Sequence, residues 1–557
     1  MAAAEKQNTY NALSRFYTVL QPDKKDISAI YMFALLIGLV QLSLPLGIQT
    51  IINFVMAGSV STSIVVLIIL AVTGTFFNGL LQVRQLEIIE KLKQKIFLRY
   101  AFEFSNRLPR LNIEQLDDYY LPELVNRFFD TVSLQKGIEK ILLDLPAAII
   151  QILFGVLLLS FYHPVFIAFG ALLILIVLLI IQFTYRRGFR FALEASSYKY
   201  KVAAWLQELA RVVKSFKYAN ESSLHMHKTD EQVSGYLDAR TSYFRILLVQ
   251  FWSLISFKVI ITAAMLILGS ILLTSQQINI GQFIAADIVI IAIISSVEKL
   301  IISLDRIYDS LVSVEKLAKI TDGATELSGN TALPLANTGI AIRFEEVHFG
   351  YSNDKEILHN LSFSIQPGSI VQLSGKSGSG KSTVLRLLTG SFTNFSGNIL
   401  VDGMPVNSYH LQSLRSQTGV LLNSQDIFHG TLLENITLGN ASVTSEAILA
   451  LANETGFDTF IRSSKDGLFN MLDPMGKKLP RHIKQHILLM RALLGNHRLL
   501  LLEEPFEHLD LQTADAFAKL LSGNKQCTII IASNDPKIEA INDTHILMES
   551  GYAISKK

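Results

Sequence analysis

Residues Gly375 to Ser382 read G-K-S-G-S-G-K-S, which is the phosphate-loop (P-loop) pattern G-x-x-x-x-G-K-[ST]. In this pattern the backbone N–H groups of a glycine-rich loop surround the oxygens of a polyphosphate. Lys381 can reach the terminal phosphates, and the Ser382 hydroxyl can hold Mg²⁺. The stretch therefore predicts a domain that binds a nucleoside triphosphate together with Mg²⁺.

The residues on either side of this loop fit the same prediction. The apolar run Ile370–Leu373 precedes the loop as a buried strand would, and Thr383–Leu388 continues from it as a helix. Strand, glycine loop and helix is the frame that a P-loop requires, because the helix N-terminus faces the phosphates. The predicted nucleotide contacts are Gly375, Lys376, Ser377, Gly378, Ser379, Gly380, Lys381, Ser382 and Thr383.

The composition indicates a membrane protein with more than one domain. The chain has 557 residues, half of them hydrophobic, and a formal net charge of +2. A soluble enzyme of this size is seldom so apolar, and a nearly neutral chain gives no reason to expect a nucleic-acid partner. The one cysteine, Cys527, lies in an apolar run, so we expect a buried core thiol and exclude an internal disulfide and a cysteine metal site.

Six long apolar segments fill the first half of the chain, and each is long enough to cross a hydrocarbon layer of about 30 Å. They are approximately Ile27–Val55, Ser63–Leu86, Leu142–Tyr162, Pro164–Phe183, Ile246–Thr274 and Ile280–Ile307. Glu298-Lys299 and Asp305-Arg306 fall late in the sixth segment. These charges either face a cavity or a partner group, or belong to a helix that has already left the bilayer.

Loop charges predict the orientation of these spans. The short connections Met56–Thr62, His163 and Ser275–Asn279 contain no Lys or Arg, whereas the two long connections are rich in both. Because positive loops stay in the cytoplasm, both long loops and both chain ends are expected inside. The N-terminal stretch shows no cleavable signal pattern. Helical spacing in the long loops, for example from Trp205 to Val213, predicts helices that project from the bilayer.

The composition becomes that of a soluble protein after a Gly-, Thr-, Asn- and Ala-rich linker. Ala341–Val347 alternates as a strand does. We therefore predict four regions: a cytoplasmic N-terminal segment (1–26), a six-span membrane domain (27–318), a linker (319–339) and an α/β nucleotide-binding domain (340–557). The predicted fold class is an α-helical membrane domain followed by an α/β P-loop domain.

Six spans followed by one P-loop domain resemble an ATP-binding cassette (ABC) exporter half-transporter, and the resemblance covers nearly the whole chain. It implies that Tyr351 stacks on the adenine of ATP. Leu499–Leu502 followed by Glu503-Glu504 resembles the Walker B strand, which implies that Glu504 is the general base. Leu509-Asp510 resembles the end of the D-loop.

The membrane domain also contains segments that resemble the family's coupling elements. Tyr120–Arg127 resembles the first intracellular coupling segment, with Pro122 in place of its glycine, and Glu208–Glu221 resembles the second. Ser313–Leu317 resembles the helix that joins the last span to the linker. In the family these elements transmit the motion of the nucleotide-binding domain to the spans.

The signature motif departs most from the family pattern. The usual L-S-G-G-Q is replaced by Leu479-Pro480-Arg481-His482-Ile483. In the family, the serine hydroxyl and nearby backbone N–H groups donate hydrogen bonds to the γ-phosphate held by the opposite subunit. Pro480 has neither a hydroxyl nor a backbone N–H. The resemblance implies that Arg481 contacts the nucleotide and that its positive charge replaces those hydrogen bonds.

Three further motif positions differ from the family. The Q-loop glutamine is read as Asn423, with Gln425 as the less favoured alternative, and the Walker B aspartate is Glu503. The switch histidine is Asn534, which cannot carry a proton to the γ-phosphate. Ser382, Asn423 and Glu503 are the predicted metal contacts. Glu503 is one methylene longer and Asn423 one shorter than usual, so we hypothesise that the longer acid fills the space left by the shorter amide.

The resemblance implies an ATP-dependent exporter, related to bacterial peptide and protein secretion exporters and residing in the bacterial inner membrane. The altered motifs predict slow hydrolysis, because losing one transition-state donor typically costs about 10²–10³ in rate. A composite ATP site needs a second ABC half, and both a homodimer and a heterodimer are open. The alternative function is an ATP-binding regulatory or structural membrane subunit that does not pump. The sequence does not identify the transported substrate.

Overall fold

The computed structural model describes residues 12–58, 62–112, 114, 121–219, 222–351 and 356–556. The chain divides into two compact units. The helical unit comprises the described residues of 1–111 and 118–323, and the α/β unit comprises those of 112–117 and 324–557. Each unit has a hydrophobic core of its own.

The helical unit contains six segments that are long and apolar enough to cross a membrane. Its helices are α1 (Lys24–Gln41), α2 (Ser43–Met56), α3 (Thr62–Arg107), α4 (Leu121–Asn126), α5 (Asp130–Tyr162), α6 (Val165–Arg211), α7 (Val213–Tyr218), α8 (Leu224–Thr274) and α9 (Ile280–Thr321). The prediction of six spans is confirmed, and the chain is an integral membrane protein. The first span differs in one respect: it divides into α1 and α2 at Leu42, three residues before Pro45, which lacks the N–H that would continue the helix.

Helices α5 and α9 pack closely along their length because small residues lie between them. A Cβ atom added to Gly137 would lie 1.4 Å from Ser310 Oγ, and one added to Gly155 would lie 2.8 Å from Ile293 Cγ1. Such small residues let helix backbones approach where lipid supplies no hydrophobic drive for association. Larger apolar side chains complete the core, including Leu159, Phe166, Val289 and Val297.

Two of the four charged residues late in the sixth span, Glu298 and Asp305, have partners on α8. Lys258 Nζ lies 2.7 Å from Glu298 Oε2, and the Tyr243 hydroxyl donates a 2.5 Å hydrogen bond to Asp305 Oδ1. These contacts supply partner groups for Glu298 and Asp305 and leave both interpretations of this part of the helix open.

The helices extend well beyond the apolar segments, as the spacing predicted. Leu92, Ile96 and Tyr100 form a buried stripe on the later part of α3. One detail of the prediction is wrong: α6 ends at Arg211, and Val212 (φ −104°, ψ 23°) separates it from α7, so Val213 belongs to a new helix. Tyr120 of the first coupling segment, and residues 220 and 221 of the second, lie outside the described residues.

Twelve strands and eight α-helices are delimited within the described residues of the α/β unit. The strands are β1 (Ile342–Phe349), β2 (Leu358–Ile365), β3 (Ile370–Ser374), β4 (Ser396–Val401), β5 (Met404–Pro405), β6 (Thr418–Leu421), β7 (Gly430–Thr431), β8 (Met471–Leu472), β9 (Leu499–Glu503), β10 (Thr528–Ala532), β11 (Thr544–Glu549) and β12 (Tyr552–Lys556). The helices are α10 (Lys381–Leu388), α11 (Leu411–Ser416), α12 (Leu432–Thr437), α13 (Ser445–Thr455), α14 (Asp458–Ser463), α15 (Arg481–Leu493), α16 (Leu511–Gly523) and α17 (Pro536–Glu539).

The order of the central sheet places three motif-bearing strand ends side by side. The order is β12-β11-β3-β10-β9-β6, with β12 antiparallel to β11 and the other neighbouring strands parallel. Strands β3, β9 and β10 are fully buried and mostly apolar, as expected for parallel strands covered on both faces. Their carboxyl ends therefore meet at one edge, where ligands bind in such sheets.

The other strands form two smaller sheets. A second, antiparallel sheet has the order β2-β1-β4-β5, and β7 pairs with β8.

Cys527 precedes β10 with 1% of its surface exposed, which confirms the predicted core thiol. Burial raises the pKa of this thiol to about 12, so Cys527 carries no thiolate at neutral pH.

Candidate functional site

The P-loop joins the end of β3 to the start of α10, as the sequence predicted. Its first residue, Gly375, has φ +138°, and a Cβ atom there would lie 2.1 Å from Met548 O. Gly380, immediately before α10, has φ +100°. Both positions therefore require glycine. Because the first N–H groups of a helix have no intrahelical acceptor, those of Lys381, Ser382 and Thr383 are donors suited to phosphate oxygens.

The Lys381 side chain lies across this loop. Its Nζ donates to Gly375 O at 2.7 Å and to Lys376 O at 3.1 Å. An ammonium group has three donors, so one remains for a phosphate oxygen. Among the other predicted contacts, Lys376, Ser377 and Gly378 are exposed, whereas Ser379 is buried and its N–H donates to Lys376 O at 3.2 Å.

The Glu503 carboxylate connects the P-loop helix to the Q-loop. Ser382 Oγ donates to Glu503 Oε1 at 2.5 Å, and the backbone N–H of Asn423 donates to Glu503 Oε2 at 2.9 Å. The three predicted metal contacts are thus brought together, although Asn423 meets Glu503 through its backbone while its side chain is exposed.

These residues fit a magnesium ion that is held together with a nucleotide. Among the residues that the structure describes, no group of three or more His, Cys, Asp or Glu side chains could hold a metal alone. Mg²⁺ commonly takes one or two protein oxygens and completes its shell with phosphate oxygens and water. The hydroxyl of Ser382 and the carboxylate of Glu503 are such a donor pair.

Glu504 is held in place by several hydrogen bonds at the end of β9. Its backbone has φ 42°, and its N–H donates to Ala532 O at 3.0 Å. Ser533 Oγ donates to Glu504 Oε2 at 2.5 Å. Gln485 Nε2 donates to Glu504 O at 3.1 Å and to Pro505 O at 3.0 Å. The predicted general base is therefore fixed by the end of β10 and by α15, the helix that begins within the signature motif.

Sequence reasoning does not identify Ser533 and Gln485 as site residues. Gln485 lies two residues after the signature motif, and Ser533 directly precedes Asn534. The available signal is their proximity to two motifs, but this does not indicate which way a side chain points. Asn534 also has an unexpected role, since its side chain forms hydrogen bonds with the P-loop residue Gly375.

Tyr351 lies beside the first turn of the P-loop helix. Its hydroxyl is 3.3 Å from Thr383 Oγ1, and Arg386 Nη1 donates to the same hydroxyl at 3.3 Å. The rings of Phe349 and Phe392 pack edge-on against it, with centroids 5.0 and 5.5 Å away. The predicted adenine platform is therefore anchored next to the predicted phosphate site.

The structure keeps the signature helix but does not bring Arg481 to the P-loop of its own chain. Helix α15 begins at Arg481, with Pro480 in extended conformation (φ −57°, ψ 148°) at the N-cap. Arg481 and His482 are exposed, and no hydrogen bond or ion pair between described residues joins either to the P-loop. Asp510 of the D-loop caps α16 by accepting the Thr513 N–H at 2.9 Å, and this bond lowers the pKa of Asp510.

The contact between Glu503 and the Q-loop leads to a test by double-mutant cycle. Glu503→Asp should withdraw the carboxylate from the Asn423 N–H and weaken Mg–ATP binding by about three- to tenfold. Asn423→Gln should restore part of that loss, giving a coupling energy of about 0.5 kcal/mol or more in calorimetric titrations. Strictly additive effects would contradict the compensation hypothesis. Asn440→Gln, a lengthened amide in a turn outside this set of contacts, is the control.

Comparison with known proteins finds a family match for part of the chain. Residues 358–507 match the family model "ABC transporter". The chain is 30% identical over 356 residues to the alpha-hemolysin translocation ATP-binding protein HlyB of Escherichia coli O157:H7, an alignment that covers 63% of this chain and half of that protein. It is 24% identical to the uncharacterized ABC transporter ATP-binding protein YknV of Bacillus subtilis, over 98% of this chain and 94% of that protein.

A solved structure shares the overall fold. The structure of a bacterial Atm1-family ABC exporter with ATP bound aligns with a TM-score of 0.87 and 19% identity, covering 96% of this chain and 94% of the other. Residues 358–507 therefore match an ABC transporter domain, and the chain as a whole shares the fold of a solved ABC exporter.

Proposed function

We propose that the chain is an ABC exporter half-transporter, and that it drives export across the bacterial inner membrane by binding Mg–ATP and hydrolysing it slowly. The observation that carries the proposal is the joining of the Walker A and Walker B residues by the 2.5 Å bond from Ser382 Oγ to Glu503 Oε1. Lys381 and the N-terminus of α10 lie at the same site, beside the anchored Tyr351. These contacts support the proposal, because they bring together the side chains that would bind the adenine, the phosphates and the metal.

Each of these residues has a distinct task in the proposal. Tyr351 stacks on adenine, the P-loop N–H groups and Lys381 hold the phosphates, and Ser382 with Glu503 holds Mg²⁺. The metal neutralises phosphate charge when bound. Glu504 accepts a proton from the attacking water as general base.

Slow hydrolysis follows from the two altered contacts to the γ-phosphate. Pro480 supplies no hydrogen-bond donor where the family has serine, and Asn534 cannot carry the charge of a histidine. Losing one well-placed transition-state donor costs about 10²–10³ in rate, and losses within one site are not additive. Arg481, exposed at the start of α15, is the residue that we propose contacts the triphosphate bound by the second half.

The active assembly is a pair of halves, each completing the other's ATP site. If the partner is an identical chain, both sites contain the altered signature. A different partner supplies an intact signature to this chain's P-loop, yet Asn534 remains in that site and the partner's P-loop meets Pro480 and Arg481. The proposed arrangement places the nucleotide-binding domains in the cytoplasm.

Peptides and proteins are the first substrate class to test. The relatives include proteins named for translocation of alpha-hemolysin and for secretion and processing of cyclolysin. These names describe the relatives themselves. That this chain exports the same class of substrate is part of the proposal.

The turnover of ATP by purified protein in lipid tests the proposed slow cycle. We expect wild-type protein without a partner chain to bind Mg–ATP and to turn over well below about one per second, the low end for typical enzymes. The triple variant Pro480→Ser, Arg481→Gly, His482→Gly restores the family's donors and should raise turnover at least about tenfold.

The control for this experiment is Lys478→Ala, which removes a positive charge from the exposed residue two positions before Pro480 (side chain 84% exposed). Its turnover should match that of wild type. Wild-type turnover of several per second would refute slow hydrolysis. Bound ATP with no turnover in either wild type or the restored variant would instead indicate a subunit that does not pump.

A further inference from the structure

The strand order brings Asn534, where the family has its switch histidine, to the start of the P-loop. Strand β10 lies between β3 and β9, with Ala532 paired to Leu373 on one side and to Glu503 on the other. Gly375 lies two residues after Leu373, and Asn534 lies two residues after Ala532. Their proximity is therefore a consequence of sheet register.

The Asn534 carboxamide forms two hydrogen bonds with Gly375. The Gly375 N–H donates to Asn534 Oδ1 at 2.8 Å, and Asn534 Nδ2 donates to Gly375 O at 3.0 Å. Because one bond needs the amide oxygen and the other the amide nitrogen, the pair fixes the orientation of the carboxamide. It also fixes the peptide groups on both sides of Gly375.

The clamped residue is the one whose conformation is most restricted. Gly375 has φ +138°, and any Cβ atom would meet Met548 O at 2.1 Å. A glycine at such a position loses more conformational freedom on ordering than other residues do. Two hydrogen bonds at this residue therefore stabilise the loop where it would otherwise be least constrained.

The clamp also acts on the phosphate-binding lysine. Gly375 O accepts from Lys381 Nζ at 2.7 Å as well as from Asn534. The position of this carbonyl oxygen sets where the Lys381 ammonium group lies. Asn534 and Lys381 are therefore linked through the Gly375 carbonyl oxygen, which accepts a hydrogen bond from each side chain.

We infer that Asn534 is a positioning residue that clamps the P-loop for nucleotide binding, rather than a substitute sensor of the γ-phosphate. This inference rests on the proposed function, since it concerns the same nucleotide. It assigns Asn534 an effect on every nucleotide whose phosphates Lys381 contacts, ADP as well as ATP.

A histidine at this position could not form the same clamp. A neutral imidazole has one donor and one acceptor nitrogen, but the two point away from each other across the ring. It can therefore satisfy the N–H or the C=O of Gly375, not both. Restoring the family residue should weaken the loop instead of repairing the site.

The test is to measure the dissociation constants of Mg–ATP and Mg–ADP on full-length protein in lipid nanodiscs. Asn534→Ala should raise both constants by about tenfold, since two hydrogen bonds are lost. Asn534→His should raise both by about threefold or more, because it can keep one of them. Asn398→Ala, which removes an exposed amide bonded to Glu345 at 3.4 Å, should change neither.

Four outcomes decide between the possibilities. A loss confined to ATP in Asn534→Ala would show a direct γ-phosphate contact and overturn the clamp. Unchanged affinities for both nucleotides in Asn534→Ala would overturn it too, as would an ATP-selective gain of affinity in Asn534→His. A wild-type protein without affinity for either nucleotide would instead refute the proposed function.

Unfolding can be separated from clamping. Asn534 is exposed, so the nucleotide-free melting temperature of both variants should stay within about 2 °C of wild type. If Asn534→Ala fails to fold, the histidine variant carries the same comparison of ADP with ATP.

Discussion

Replacing Lys381 with alanine is expected to lower the affinity for Mg–ATP by about 100-fold or more. The Lys381 ammonium group donates to Gly375 O and Lys376 O at 2.7 and 3.1 Å, which leaves its third donor for a phosphate. A charge-assisted hydrogen bond is worth about 1.5–3 kcal/mol, and a factor of 100 corresponds to about 2.7 kcal/mol. The alanine variant loses this bond together with the two that hold the loop. Isothermal titration of protein in nanodiscs measures the effect.

Lys376→Ala is the matched control, because it removes a lysine side chain from the same loop. The Lys376 side chain is exposed, and its contact with Lys381 is made by the backbone oxygen. Its affinity should stay within about threefold of wild type. Equal losses in the two variants would mean that the general positive charge of the loop, rather than the position of Lys381, binds the nucleotide.

Glu504→Gln is expected to reduce single-turnover ATP hydrolysis by about 100-fold or more while leaving the affinity for Mg–ATP within about threefold. The substitution keeps the shape of the side chain and an oxygen that can accept from Ser533 Oγ, now 2.5 Å from Glu504 Oε2. It removes the ability to accept a proton from water. Rapid-quench measurement with protein in excess over ATP follows this step even when steady-state turnover is slow.

The matched control for this variant is Glu507→Gln, three residues further along the chain. The Glu507 side chain is 53% exposed and lies beside His508, with Nε2 of that histidine 3.5 Å from Glu507 Oε1. Its hydrolysis rate should equal that of wild type. A Glu504→Gln variant that hydrolyses ATP at the wild-type rate would show that Glu504 is not the general base.

Local sequence patterns were sufficient to predict the major elements. The glycines of the P-loop have φ values that other residues rarely adopt, so their spacing carries structural information by itself. The apolar runs of β3, β9 and β10 are fully buried, and the six membrane segments are long enough to be recognised without tertiary contacts. These features depend on neighbours in sequence.

The finer contacts of the site depend on sheet register and could not be read in this way. Glu503 meets the backbone of Asn423, 80 residues away, because β6 pairs with β9. Asn534 meets Gly375, 159 residues away, because β10 pairs with β3. The family resemblance located these positions, but it implied side-chain roles toward the nucleotide and not hydrogen bonds within the protein.

The break in the first span has a similar explanation. Pro45 was visible in the sequence, yet a proline within a membrane helix can bend it, end it or be accommodated by neighbouring groups. Only the packed structure shows the division at Leu42. The partners of Glu298 and Asp305, late in the sixth span, could not be read from the sequence either, because Lys258 and Tyr243 lie on α8.

Equilibrium dialysis of wild-type protein in lipid against labelled ATP, with and without Mg²⁺ and with hydrolysis followed in the same samples, tests the nucleotide site as a whole. We predict saturable, Mg²⁺-dependent binding that approaches one ATP per chain, while most of the bound ATP remains intact over many seconds. Absence of Mg²⁺-dependent binding in folded protein would contradict the assignment of Lys381, Ser382 and Glu503 to a nucleotide site. Rapid conversion of the bound ATP to ADP would contradict the inferred effect of the altered signature and switch positions.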